Sequence, residues 1–337
     1  MKRQLTFLAG LGLGSWLVSR KLRSRRAMNL DDKLVLIAGG SRGLGLELAR
    51  EFARHGARIA ICGRDTDTLH RAEEDLRGRG ITARAYTCDI SNANEVSEMV
   101  TSVERDLGAI HVLVNNAGII QVGPVDVMTK EDYREAMDIH FWGPLHTTLS
   151  VLPSMKYRGS GRIVNVSSIG GKLSVPHLVP YSASKFALVG FSEGLRSELR
   201  QYGIYVTTIC PGLMRTGSPR NAIFKGQNKK EYAWFSISDS LPLLTISSER
   251  AARKIVDACI HGDSEVILTP QARLAATFHG VFPGLTSDIL GIVNRILPSP
   301  GGIGEQRAYG RDSFSAVSPS PITAFTEAAA RKNNEVA

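Results

Sequence analysis

Leu34-Val35-Leu36-Ile37-Ala38-Gly39-Gly40-Ser41-Arg42-Gly43-Leu44-Gly45 decides how this chain folds. Five apolar residues run without alternation, as in a strand buried on both faces. Leu44, Leu48 and Phe52 then recur at helical spacing, so a helix is predicted over Leu44–His55. Between them lies a glycine-rich turn. Its glycines let the backbone bend tightly and come close to a pyrophosphate. The helix that follows offers free N–H groups and the positive end of its dipole. Gly39, Ser41, Arg42, Gly43, Leu44 and Gly45 are therefore candidate contacts to a nucleotide.

The same rhythm continues outward. Strands are predicted at Arg58–Cys62, Ala83–Thr87, Ile110–Val114, Arg162–Ser167, Tyr205–Cys210 and Glu265–Leu268. Helices fall between them at Thr66–Arg79, Asn92–Leu107, Lys130–Tyr157, Ala183–Tyr202 and Ser248–His261. Alternating strands and helices rich in Val, Ile and Leu imply an α/β fold with a parallel sheet. Right-handed crossovers make it a doubly wound (Rossmann) sheet with helices on both faces. Residues 213–247 interrupt the rhythm, and a long insertion at the carboxyl end of a strand is expected to cover a site.

The chain has 337 residues, 43% hydrophobic and 22% charged, which excludes a disordered polymer. Four Cys make no disulfide framework. There is no CxxC and no Cys/His cluster at zinc spacing, so no metal is expected. The net charge is +9, but Lys2, Arg3, Arg20, Lys21, Arg23, Arg25 and Arg26 supply seven of those charges in an arm without acids. The rest of the chain is near neutral, which argues against a nucleic-acid partner.

Four segments follow. Residues 1–28 hold the apolar stretch Leu5–Val18, whose 14 residues would span roughly 21 Å as a helix, short of a hydrocarbon core of about 30 Å. A cleaved signal peptide, a short or interfacial anchor and an unordered leader all compete. The basic run after the apolar stretch opposes export and favours the anchor, with the arginines on anionic lipid and the body on the cytoplasmic side. Residues 29–270 read as one nucleotide-binding domain, expected to be catalytic from the residues given below. Residues 271–297 read as a helical extension near the pocket or a membrane, with Leu285, Ile289, Ile292, Val293 and Ile296 at helical spacing. Residues 298–337, rich in Ser, Pro and Gly and then polar, are expected to be disordered.

The nucleotide can be narrowed. In NAD-binding sheets an acid at the end of the second strand holds the ribose 2′-OH. Here Gly63 takes that place, followed by Arg64, and Arg42 lies in the glycine turn. Two guanidinium groups and no carboxylate suit a 2′-phosphate, so NADP(H) is expected.

Tyr181-Ser182-Ala183-Ser184-Lys185 opens a helix and puts Tyr181 and Lys185 on one face. A neighbouring ammonium would lower the phenol's pKa. Ser168 ends the strand thirteen residues upstream. With these residues in view, the chain resembles the short-chain dehydrogenase/reductase family, in its shorter, non-extended branch. The turn matches that family's TGxxxGxG pattern, except that Ala38 replaces Thr. Asp89-Ile90 matches the adenine contact, Asn115-Asn116-Ala117-Gly118 the NNAG motif, and Pro211, Gly212 and Thr216 the PGxxxT element beside the nicotinamide. Ser168, Tyr181 and Lys185 match its catalytic triad. The resemblance covers roughly residues 31–270.

That resemblance implies hydride transfer between NADP(H) and a carbonyl or alcohol, with Tyr181 as acid/base. Ser168 would hold the substrate oxygen and Lys185 the nicotinamide ribose. It also implies a homodimer or homotetramer through the two long helices. The apolar extension suggests a lipophilic substrate. The family's usual helix Asn is replaced by His140, which can replace a proton relay, alter the pH profile, or only pack. The alternative function is a catalytically inactive NADP-binding sensor or scaffold.

Overall fold

The structure, a computed structural model, describes residues 20, 21, 23–241, 245–315, 318–320 and 323–336. The apolar stretch of the arm lies outside these residues. Seven parallel strands form the main sheet: β1 (Leu34–Ala38), β2 (Arg58–Gly63), β3 (Ala83–Thr87), β4 (Ile110–Asn115), β6 (Gly161–Val166), β7 (Ile204–Cys210) and β11 (Glu265–Ile267), in the order β11-β7-β6-β4-β1-β2-β3. The winding direction reverses between β1 and β4. A crevice at such a point, at the carboxyl ends of the strands, is where doubly wound sheets bind ligands.

The pleat sorts β1 between two cores. Leu34, Leu36 and Ala38 pack with Val96, Val100 and Val151 on one face. Val35 and Ile37 pack with Leu48, Phe52 and Ile255 on the other. Alternate side chains of a strand point to opposite faces, so an unbroken apolar run is what two helical layers require. Those layers comprise α1 (Gly43–Arg54), α2 (Thr66–Gly78), α3 (Ala93–Leu107), α4 (Lys130–Met137), α5 (Gly143–Arg158), α6 (Val179–Leu199) and, after the insertion, α8 (Ser248–His261).

The helix expected over Lys130–Tyr157 is broken. Asp138–Trp142 form a π turn between α4 and α5, closed by Gly143 N–H donating to Asp138 O. Pro144 has no N–H to give the His140 carbonyl, which favours the wider turn here. The 213–247 insertion contains β8 (Met214–Arg215), β9 (Ile223–Phe224), α7 (Asn228–Ser238) and β10 (Ile246–Ser247). β8 pairs with β10, and β9 pairs with the short β5 (Gln121–Val122).

The tail departs from its expected disorder. β12 (Ala308–Tyr309) pairs antiparallel with β9, and α11 (Ala324–Lys332) follows. Composition concealed a few specific anchors in the insertion. Phe314 packs against Tyr232, with ring centroids 5.5 Å apart, and Arg220 bonds Glu327 at 2.6 Å. Residues 271–297 fold as α9 (Pro270–Val281) and α10 (Pro283–Asn294), and their apolar side is solvent-facing: Leu274 is 72% and Ile292 64% exposed. Among the described residues no helix is long and apolar enough to cross a membrane. The described part of the arm is pinned to the domain, with Arg23 on Asp263 at 2.9 Å and Met28 N–H on Ile260 O at 2.9 Å.

Candidate active site

The glycine turn lies at the reversal point of the sheet. Gly39 has φ +77°, and a side chain there would meet the Ala117 backbone at 2.6 Å. A Cβ on Gly45 would come within 1.9 Å of Gly39 O. The turn is thus held so close to the segment after β4 that only glycine fits. Asn116 fastens the two, its Nδ2 donating to Gly39 O at 2.9 Å and its backbone N–H to Ala38 O at 3.0 Å. Arg42 begins α1 without any side-chain cap, and no acid occupies the first turn. The first N–H groups of this helix have no acceptor within the helix.

One cleft of about 460 Å³ runs from Arg64 and Asp89, past the glycine turn, to Ser168 and Tyr181. Nearly every residue singled out for the cofactor lines it: Gly39, Ser41, Arg42, Gly43 and Leu44 from the turn, Arg64, Asp89 and Ile90, then Asn116, Ala117 and Gly118, and Pro211, Gly212 and Thr216. Gly45 alone stands behind the wall, where its role is the close approach just described. Asp89 accepts bonds from Ser91 and lies 3.8 Å from Arg64. Asp65, two residues beyond Gly63, is occupied in capping α2 through Thr68 N–H at 2.8 Å. This end of the cleft therefore presents Arg42 and Arg64, while the nearby Asp65 caps α2.

At the other end, α6 carries Tyr181 and Lys185 one turn apart, and Ser168 stands at the close of β6. The Ser168 hydroxyl lies on the phenol's side of the cleft, and its Oγ accepts the Gly170 N–H at 3.0 Å. Burial pushes the phenol's pKa up to about 12, against the downward pull of Ser168. The Lys185 Nζ donates to Val166 O at 3.0 Å and lies 5.7 Å from the centre of the Tyr181 ring. Burial pulls its pKa down to about 7. The ammonium thus does not depress the phenol as the spacing suggested. Desolvation of both groups outweighs their mutual effect.

His140, in the π turn, is fully buried with both ring nitrogens engaged. The Ile119 N–H donates to its Nε2 at 3.1 Å. Nδ1 therefore carries the proton and faces the Ser184 Oγ at 2.7 Å; that hydroxyl donates to Tyr181 O at 2.8 Å. The ring meets the Tyr181 ring edge-on at 5.4 Å. Burial, then Lys185, hold the imidazole's pKa well below its usual value. It is a neutral brace under the phenol.

The Tyr181 end of the cleft is closed by the insertion. Trp234, Phe235 and Asp239 line it beside Ile120, Val175 and Leu178. Burial raises the Asp239 carboxyl well above its usual range, and one oxygen accepts the Met214 N–H at 3.1 Å. His177 is buried outside this wall, bonded to Glu231 at 2.8 Å, and Glu231 also accepts the Trp234 Nε1–H at 2.7 Å. Sequence reading missed Asp239, Trp234, Asn221 and Glu335 as lining residues. The aromatic pair in the insertion was the one usable signal. Nothing local to residue 335 marks it.

Comparison with known proteins agrees with this geometry. The short chain dehydrogenase family model matches residues 33–224. A dehydrogenase/reductase SDR family protein 7-like from Anopheles gambiae is 34% identical over 79% of this chain and 84% of its own length. Human 17-beta-hydroxysteroid dehydrogenase 13 is 33% identical over 58% of this chain and 67% of its own. Among solved structures, a variant of the actinorhodin polyketide ketoreductase with NADPH superposes with TM-score 0.65, at 30% identity, over 72% of this chain and 97% of its own. A Burkholderia cenocepacia gluconate 5-dehydrogenase with NADP and tartrate gives 0.64, at 27% identity, over 73% and 97%. The xylitol dehydrogenase similar to this chain was solved with NAD+, at 28% identity and TM-score 0.63, over 72% of this chain and 99% of its own. The fold, the nucleotide crevice and these likenesses lead to one statement: the chain belongs to the short-chain dehydrogenase/reductase family of oxidoreductases, whose chemistry uses a nicotinamide cofactor.

Proposed function

We propose that the chain interconverts a ketone or aldehyde and an alcohol on a lipophilic substrate, with NADP(H) as cofactor and Tyr181 as acid/base. The observation that carries this reading is that Ser168, Tyr181 and Lys185 together line the inner end of a cleft that begins at the glycine turn. The glycines and the uncapped start of α1 fit a diphosphate, and Arg42 and Arg64 fit a 2′-phosphate. When bound, the nicotinamide exchanges a hydride with the substrate carbon.

The protein's part is the proton. Ser168 holds the substrate oxygen beside the phenol. Tyr181 gives that oxygen its proton during reduction and takes it back during oxidation. A phenol kept protonated by burial is set to donate. Lys185, held by Val166 O, orients the ribose end of the cofactor. His140 acts as a positioning residue through Ser184 and the Tyr181 ring.

Apolar walls at the substrate end support a lipophilic substrate. α9 begins against Gly212, where a Cβ would meet Ala272 at 3.1 Å, so the exposed apolar side of α9–α10 starts beside the cleft. We read it, with the arm, as a lipid-facing surface. Exposed Leu149, Tyr157 and Phe186 on α5 and α6 support self-association through these helices. The direct test is NADPH absorbance with a panel of lipophilic ketones in detergent. Consumption of NADPH with at least one of them is expected. No turnover with any ketone, and none with the matching alcohols and NADP+, would overturn the proposal.

A further inference from the structure

The glycine turn in this structure already has an acceptor, and it comes from the chain itself. Past α11 the backbone crosses the start of α1. Asn333 O accepts the Gly43 N–H at 2.8 Å, the first of the free donors at that helix end. Glu335 extends into the cleft, with Oε1 2.5 Å from where a Cβ on Gly43 would stand. Its other oxygen lies 3.7 Å from Arg42 Nε and accepts Asn221 Nδ2–H at 2.5 Å. The carboxyl therefore bridges the glycine turn and the insertion, with Thr216 on the same cleft wall. It is buried, with only 5% of its side chain exposed.

The crossing is anchored on both sides. Asn333 Oδ1 accepts Arg50 Nη1–H at 3.1 Å, and its Nδ2 donates to Ser248 Oγ at 3.1 Å. Asn334 Nδ2 donates to Ser41 O and Thr68 O, both at 2.9 Å, and its Oδ1 accepts Arg71 Nε–H at 3.0 Å. Lys332 bonds Glu249 at 2.5 Å.

These contacts use the groups that a dinucleotide phosphate would need. The Gly43 N–H is taken, Arg42 faces a carboxyl, and an acid fills the space at the turn. A phosphate and a carboxylate repel strongly at such range in a site of low polarity. We propose that residues 333–335 form a displaceable strap over the phosphate cradle, so that the free chain caps itself and NADPH enters only as the strap leaves. The inference rests on the reading of the glycine turn as the cofactor site. A site that must first be vacated binds its ligand more weakly by the fraction of molecules already open.

The experiment measures NADPH affinity by titration calorimetry in three chains: the full chain, the variant Glu335→Gln, and a chain ending at Lys332. Thermal melting establishes that each is folded. Glu335→Gln keeps the shape and removes the charge, and several-fold tighter binding is expected. The shortened chain should bind roughly tenfold tighter. Hydrogen exchange on the unmodified chain gives a readout free of any substitution: the amides of 333–335 should exchange faster when NADPH is added. Unchanged or weaker affinity in both variants, with no change in exchange, would show a passive cover and overturn the strap. Absence of NADPH binding in all three chains would remove the cofactor reading, and the strap with it.

Discussion

At the residue scale, desolvation sets the protonation of the reacting groups. Tyr181, held near 12, keeps its proton at neutral pH. Tyr181→Phe removes that proton donor while leaving the cleft lining in place. Turnover should fall by about 10²-fold to 10⁴-fold, with NADPH affinity retained; near-normal turnover would refute the acid/base role. Lys185 makes a separate, signed prediction. Its pKa drops from 10.5 to about 7 in the fold. Above pH 7 the unfolded chain therefore binds a proton that the folded chain has released, so stability rises with pH until the unfolded amine also titrates. Urea unfolding of the free chain and of Lys185→Met at pH 7 and pH 9 isolates this. The wild type should gain up to about 2–3 kcal/mol relative to the variant over that interval. An equal difference at both pH values would mean the lysine is not desolvated. His140 is buried neutral, so it has no titration to contribute near pH 6. His140→Asn should leave the pH–rate profile in place and cost roughly 1–3 kcal/mol of stability through lost partners. A profile that loses an inflection near pH 6.5 would instead make His140 the relay.

Between residue and element lies the division between what could be read and what could not. Tyr181 and Lys185 were legible because helical spacing alone puts them on one face. The glycine turn was legible because its strand and helix adjoin it in sequence. The brace from His140 to Ser184 joins residues 44 apart, and no local pattern encodes it. The π turn escaped because its apolar spacing still looks helical, although Pro144 held the clue. The tail escaped for a third reason: polar composition says little when a few ion pairs and one aromatic contact supply the anchoring. At this scale the α9–α10 hairpin also makes its prediction. Phe282, Leu285, Ile292 and Ile296 are 51%, 52%, 64% and 82% exposed, more apolar surface than two neighbouring helices normally leave in water. The triple variant Leu285→Asp, Ile292→Asp, Ile296→Asp should bind anionic vesicles more weakly in flotation assays. Its activity on a water-soluble ketone should stay the same. Undiminished vesicle binding would leave the arm as the sole membrane contact and the hairpin face without that role.

For the whole molecule, the cleft is a seam. β1 to β3 lie on one side of the reversal point and β4 onward on the other, and the two sides meet along β1·β4. Arg42 and Arg64 reach the seam from the first side, Ser168, Tyr181 and Thr216 from the second. A dinucleotide laid along it contacts both halves, and the unfolded chain offers it no such surface. Binding therefore stabilises the fold by mass action, by about 2.7 kcal/mol at a hundredfold excess over Kd. For a chain of 337 residues the melting temperature should rise by roughly 4 °C. The increment depends on which contacts form at the arginine end. NADPH should raise the melting temperature more than NADH at equal concentration. In the double variant Arg42→Ala, Arg64→Ala the two should become equal, because the 2′-phosphate has lost both guanidinium partners while the diphosphate contacts remain. Thermal shift measurements across a concentration series of each cofactor decide this. A larger shift with NADH in the wild type would make Gly63 irrelevant to the choice and assign the adenosine ribose to another acid of the cleft, with Asp65 the first to test.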